Sequence, residues 1–85
     1  MAIFAVMSPG TNPALGIAVA RHFSENFYVV AQGQYLVAAQ NLTTKEITER
    51  LGATSGELGQ VIVLASSSYY GWHTKDVWEW IQVKS

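Results

Sequence analysis

The residues predict an α+β domain in which the elements follow the order strand, helix, hairpin, helix, strand, helix. Three observations carry that prediction. Two continuous apolar runs, Ile3–Met7 and Val61–Ala65, open and close the first 66 residues. Between them lie two helices with well-marked starts, separated by two β-prone runs that meet at a glycine turn. The result is a β-α-β-β-α-β unit, followed by a tail (67–85) that holds half of the aromatic residues.

Ile3–Met7 ends at Ser8-Pro9-Gly10, as expected of a central strand covered on at least one face. Asn12 then serves as N-cap and Pro13 occupies the first helical position, where a missing N–H costs nothing. Leu15, Val19 and His22 fall on one stripe of this helix, widened by Ile17 and Ala18. Gly16 costs about 1 kcal/mol relative to alanine, and close packing of helix on sheet would explain it. Phe27–Ala31 and Tyr35–Ala39 flank Gln32-Gly33, where the glycine supplies the positive φ of a tight hairpin. Phe27 and Val29 share one face against Tyr28 and Val30, and Tyr35 and Val37 oppose Leu36 and Ala38.

Thr43 and Glu46 form a capping box, with Leu42 and Ile47 spaced as a hydrophobic staple. Ile47 and Leu51 are the core contacts of this second helix, Glu46, Glu49 and Arg50 face water, and Gly52 ends it. A polar loop, Ala53–Gly59, leads to Val61–Ala65, the second central strand. Right-handed crossovers in both halves give a four-stranded antiparallel sheet of order 4-1-3-2 with both helices on one face. In the tail, Thr74-Lys75-Asp76 reads as a cap and acidic first turn, with Val77, Trp80, Ile81 and Lys84 at helical spacing. Alternation of Trp78, Trp80 and Gln82 against Glu79, Ile81 and Val83 also suits an edge strand; the helix is favoured because cap and periodicity agree. The domain is therefore a core over 1–66 with an aromatic-rich extension over 67–85, without repeats or linkers.

Composition limits what such a domain can do. A chain of 85 residues buries only about 60–65% of its unfolded surface. With no cysteines, neither disulfides nor thiolate metal sites reinforce it. Hydrophobic residues make up 49% and charged ones 13%, against a usual charged share of about 25%. Part of the exterior is then apolar, and a homodimer or higher homo-oligomer is expected. The net charge is −1 with a pI near 6.0, and Arg21, Lys45, Arg50, Lys75 and Lys84 form no run, which counts against nucleic acid as partner. Ala2–Met7 is too short for a signal core and no run is long enough to span a bilayer, so a cytoplasmic protein without membrane partners is expected.

Two loops concentrate the residues able to do chemistry. Ser8–Asn12 leads from the first strand into a helix N-terminus, where partial positive charge could hold an anion beside Ser8, Thr11 and Asn12. The plainer reading is a well-capped connection. The second loop gathers Ser66, Ser67, Ser68, Tyr69, Tyr70, Trp72 and His73 just after a strand. Tyrosine and tryptophan are favoured at binding hot spots. The plainer reading, preferred for Trp78 and Trp80, is that the aromatics pin the tail to the sheet. A neutral His73 beside serines could act as a base, although no motif supplies an orienting acid. His22, on its apolar stripe, reads as a core or boundary residue. His73, Asp76 and Glu79 match no standard ligand spacing, so neither metal nor cofactor is expected.

In element order, size and short C-terminal extension the chain resembles a group of small bacterial and phage ferredoxin-like proteins that includes VapD and the second of the CRISPR-associated (Cas) proteins. The resemblance covers residues 1–66 as topology and implies a symmetric dimer. Some members cleave nucleic acid with a metal held by an Asp at the end of the first strand. Ser8-Pro9 stands there in this chain, so the resemblance stops short of that activity. Acylphosphatases share the strand order and use an Arg in the first loop, which Ser8-Pro9-Gly10-Thr11 does not offer.

The first functional expectation is a non-enzymatic interaction module, homo-oligomeric, binding a protein partner through Tyr69, Tyr70, Trp72, His73 and the C-terminal helix, with Ser8, Thr11 and Asn12 as an adjunct. The alternative is a hydrolase or phosphotransfer enzyme with an anion at Ser8–Asn12, His73 as base, and Ser66, Ser67 and Ser68 as hydroxyl donors. It takes the first and fourth strands as parallel, so that Ser8 and Ser66 lie at the same end of the sheet. A nucleotide binder using stacked aromatics is a third option, disfavoured by the lack of a basic patch.

Overall fold

A computed structural model describes residues 1–85. The elements are β1 (Ala2–Met7), α1 (Pro13–His22), β2 (Phe27–Ala31), β3 (Gln34–Ala39), α2 (Thr44–Leu51), β4 (Ile62–Ser66) and α3 (Lys75–Lys84). The fold is α+β. Its one sheet is antiparallel throughout, in the order β2-β3-β1-β4, which is 4-1-3-2 read from the other edge. The expected parallel alignment of the first and fourth strands is overturned: Ile3 pairs with Ser66 and Met7 with Ile62. The cause is topological. β3 runs opposite to β1, and the crossover through α2 returns the chain in the direction of β3. The same order makes β4 an edge strand, although its unbroken apolar run reads as central.

Pleating sends Phe4, Val6, Tyr35, Val37 and Ala39 to one face, where Leu15 and Val19 of α1 and Ile47 and Leu51 of α2 close over them. The stripe of α1 is narrower than expected. Phe23, four residues beyond Val19, takes the buried place, and both His22 and Ile17 turn to water. Gly16 has a packing reason. A Cβ there would stand 2.7 Å from the Tyr35 hydroxyl oxygen on β3. Helix α2 starts with both capping-box bonds: Glu46 N–H donates to Thr43 Oγ1 (3.1 Å) and Thr43 N–H to Glu46 Oε1 (2.9 Å). These bonds, the backbone one foremost, hold the Glu46 carboxyl below its ordinary pKa. Gly52 ends the helix in the left-handed region at φ 78°.

The tail is a helix and forms a third layer on the opposite face. Val77 and Ile81 are buried over Ile3 and Ala38, flanked by Tyr28, Leu36, Trp78 and Trp80. The Tyr28 and Trp80 rings tilt together at 5.9 Å, and Lys84 Nζ donates to Asn26 Oδ1 (3.1 Å) at the entry to β2. Helix α3 covers only part of this face. It seals the register row containing Ile3 and Ala38, while the rows pairing Leu64 with Ala5 and Ile62 with Met7 leave Leu64, Ile62 and Met7 exposed. No helix is long and apolar enough to cross a membrane.

Candidate functional site

Antiparallel pairing sets the two candidate loops apart. Ser66 stands beside Ile3 at one end of β1, and Ser8 follows its other end, about 17 Å away at the rise of an extended chain. Ser8, Thr11 and Asn12 therefore do not share a site with Ser66, Ser67, Ser68 or His73.

The Ser8–Asn12 loop is closed on itself. Asn12 Oδ1 accepts from Leu15 N–H (3.1 Å), capping α1, while its amide nitrogen donates to Ser8 Oγ (3.0 Å) and to the Leu58 carbonyl (2.7 Å). Ser8 N–H donates to the Gly33 carbonyl at the hairpin tip (2.7 Å), and Thr11 Oγ1 to Gln32 Oε1 (2.8 Å). Ser8 itself is buried. These bonds tie strand, helix, hairpin and the loop before β4 into one junction, and they use the groups that were expected to meet an anion. No basic side chain belongs to this loop.

At the other end, the chain leaving Ser66 passes over the sheet to reach α3 and roofs a groove of about 380 Å³. Its floor includes Val30 and Leu36 from the hairpin, and one wall is Val77, Trp78 and Ile81 from α3. Ser66, Ser68, Tyr69, Tyr70, Trp72 and His73 line the rest, and Ser67 lies outside it. Tyr70 and Trp72 are fully exposed, at 102% and 99%. Trp78 and Trp80 are half-buried against the sheet, as their plainer reading held.

The polar groups here are not arranged for nucleophilic attack. Ser66 Oγ donates to the Ser68 carbonyl (3.1 Å), and His73 Nδ1 accepts from the Thr74 N–H (2.8 Å). No hydrogen bond joins the imidazole to a serine, so the base–nucleophile contact that activation requires is not made. No three His, Asp or Glu side chains gather into a ligand set. What the groove offers is apolar and aromatic surface with hydroxyls at its rim.

Sequence reasoning found the loop aromatics and missed the groove floor, Val30 and Leu36, together with the exposed strip Met7, Ile62 and Leu64. Their signal was present in the alternation of both strand faces as apolar, which leaves one face without enough helix to cover it. Compared with known proteins, the chain matches no family model, no curated protein and no solved structure.

Proposed function

We propose that this chain is a non-enzymatic interaction module on a ferredoxin-like scaffold, working as a homo-oligomer and receiving an apolar segment of a protein partner at the groove under its aromatic loop. The observation that carries this reading is the full exposure of Tyr70 and Trp72 beside a groove lined by Val30, Leu36, Val77 and Ile81. Large aromatics bury about 150–250 Å² each on docking, so two of them standing in water are a strong drive for association. The low charge and the uncovered Met7, Ile62 and Leu64 support self-association. The junction at Ser8–Asn12 is a structural unit in this reading.

The test uses the full chain and the double variant Tyr70→Ser with Trp72→Ser. Mass is read by light scattering after size exclusion, and apolar surface by the fluorescence of anilinonaphthalene sulfonate. The wild type is expected to run above monomer mass and to enhance the dye, with the enhancement lost in the variant. A wild type that is monomeric at every concentration and lights the dye no more than the variant would sink the reading.

A further inference from the structure

We infer that the second copy docks on the β4 edge: two chains pair Ile62–Ser66 antiparallel about a two-fold axis at Leu64, joining their sheets into one of eight strands. The inference rests on the self-association proposed above and specifies its interface.

An edge strand carries a row of unpaired N–H and C=O groups, and proteins ordinarily blunt such edges with charges, prolines or bulges. The two edges here differ. β2 carries a register shift between Val29 and Ala31. β4 is regular through its pairing with β1, and Ile-Val-Leu-Ala-Ser contains no charge, proline or glycine. It is left as a ready template for another strand.

Charge selects the occupant. A two-fold contact sets every group near its own copy, so any charge close to the axis meets its like. From Leu58 to Thr74 the chain carries no Asp, Glu, Lys or Arg; α2, which packs beside β4, presents charges of both signs, Lys45 and Arg50 with Glu46 and Glu49. The uncharged tract surrounds β4 in sequence, so a second copy meets no like-charge repulsion from it.

The face beside the β4 edge carries exposed apolar side chains for such a contact. A stable dimer covers about 800 Å² on each partner, roughly one seventh of this chain's 5469 Å². Ile62, Leu64 and Met7 stand exposed on the same face of the sheet, at 54%, 46% and 39%. The pairing sets Ser66 of one copy opposite Ile62 of the other. The cavity between Met7, Pro9 and Ile62 lies at the ends of this paired edge, while the loop bearing Tyr70 and Trp72 turns away over its own sheet toward Val30 and Leu36 and stays free.

The experiment exploits the absence of cysteine. Opposed residues in antiparallel strands have Cβ atoms about 4.5–5.5 Å apart, close to disulfide range, so Leu64→Cys is expected to give a covalent dimer under mild oxidation. Val29→Cys, exposed on the other edge, is expected to give none. Leu64→Lys places two like charges at the axis and is expected to shift the mass from dimer to monomer, with the circular dichroism of the fold retained. If Leu64→Lys fails to fold, the cross-link decides. A wild-type dimer in which Leu64→Cys gives no more cross-linking than Val29→Cys overturns the β4 interface and leaves self-association standing. A wild type monomeric at all concentrations overturns both.

Discussion

The loops that follow β1 and β4 both contain serines and both lead into a helix, and they are built in opposite ways. In Ser8–Asn12 the hydroxyls and the Asn12 amide bond to α1, to the hairpin tip and to the loop before β4. In the loop from Ser67 to Thr74 the side-chain bonds are confined to neighbours, Ser66 with Ser68 and His73 with Thr74, while Tyr70 and Trp72 touch water on all sides. The first loop is a junction between elements of the fold; the second leaves two large aromatics, Tyr70 and Trp72, outside its packing. Polar residues ahead of a helix are weak indicators of function because capping has first use of them, whereas a fully exposed tryptophan has no structural employment to explain it.

The sharpest way to break this comparison is Gly33→Ala. Gly33 has φ 74°, and a Cβ would drive into the Ser8 and Gly10 carbonyl oxygens. Left-handed strain costs about 1–2 kcal/mol and overpacking a further 1–3 kcal/mol. A loss of about 3 kcal/mol in urea unfolding is expected, and one below about 1 kcal/mol would show that the tip and the loop are not locked together.

Asn12→Asp is the finer probe of the same junction. Aspartate caps a helix as well as asparagine, so the variant keeps the bond to Leu15 N–H and removes the donations to Ser8 and Leu58. About 1–3 kcal/mol of destabilisation is expected; an unchanged urea midpoint would mean that the amide donors contribute nothing. On the opposite side of the comparison, Tyr70→Ser with Trp72→Ser is expected to alter monomer stability by no more than about 0.5 kcal/mol. A drop of several degrees in the thermal midpoint, measured at a concentration where the wild type is monomeric, would make these aromatics structural.

The smallest effect belongs to the exposed start of α2. The folded-state pKa of Glu46 is depressed by its bonds to Thr43. Its contribution is therefore present above the unfolded carboxylate value of about 4.3 and fades as pH falls through the lower folded value. Thermal midpoints followed between about pH 6 and pH 2 are expected to fall more steeply for the wild type than for Glu46→Gln, which keeps a neutral capping partner. Parallel curves would deny the carboxylate any part in the cap.

Much of the architecture was legible because its signals are local. Asn12-Pro13, the Thr43–Glu46 box, Gly33 and Gly52 each act within a few residues, and all occupy the expected roles. The candidate site was half legible. The loop aromatics are visible as composition, but the groove exists only because α3 crosses the sheet to meet Val77 and Ile81 with Ile3 and Ala38. His22 was misplaced because its spacing from Val19 suits the stripe as well as that of Phe23. Only the packed helix decides which of two neighbours turns inward.

By itself, the sequence determined the order of the elements and the caps and turns that start or stop several of them, because these are properties of short stretches of chain. It also determined that too little charge exists to cover the exterior. Tertiary structure decided that β4 runs against β1, as an antiparallel sheet requires, and with it that Ser8 and Ser66 lie at opposite ends of the sheet. It decided as well that α3 leaves Ile62 and Leu64 uncovered. Those outcomes depend on which distant segments meet, and an apolar run reads the same whether one neighbour or two will pair with it.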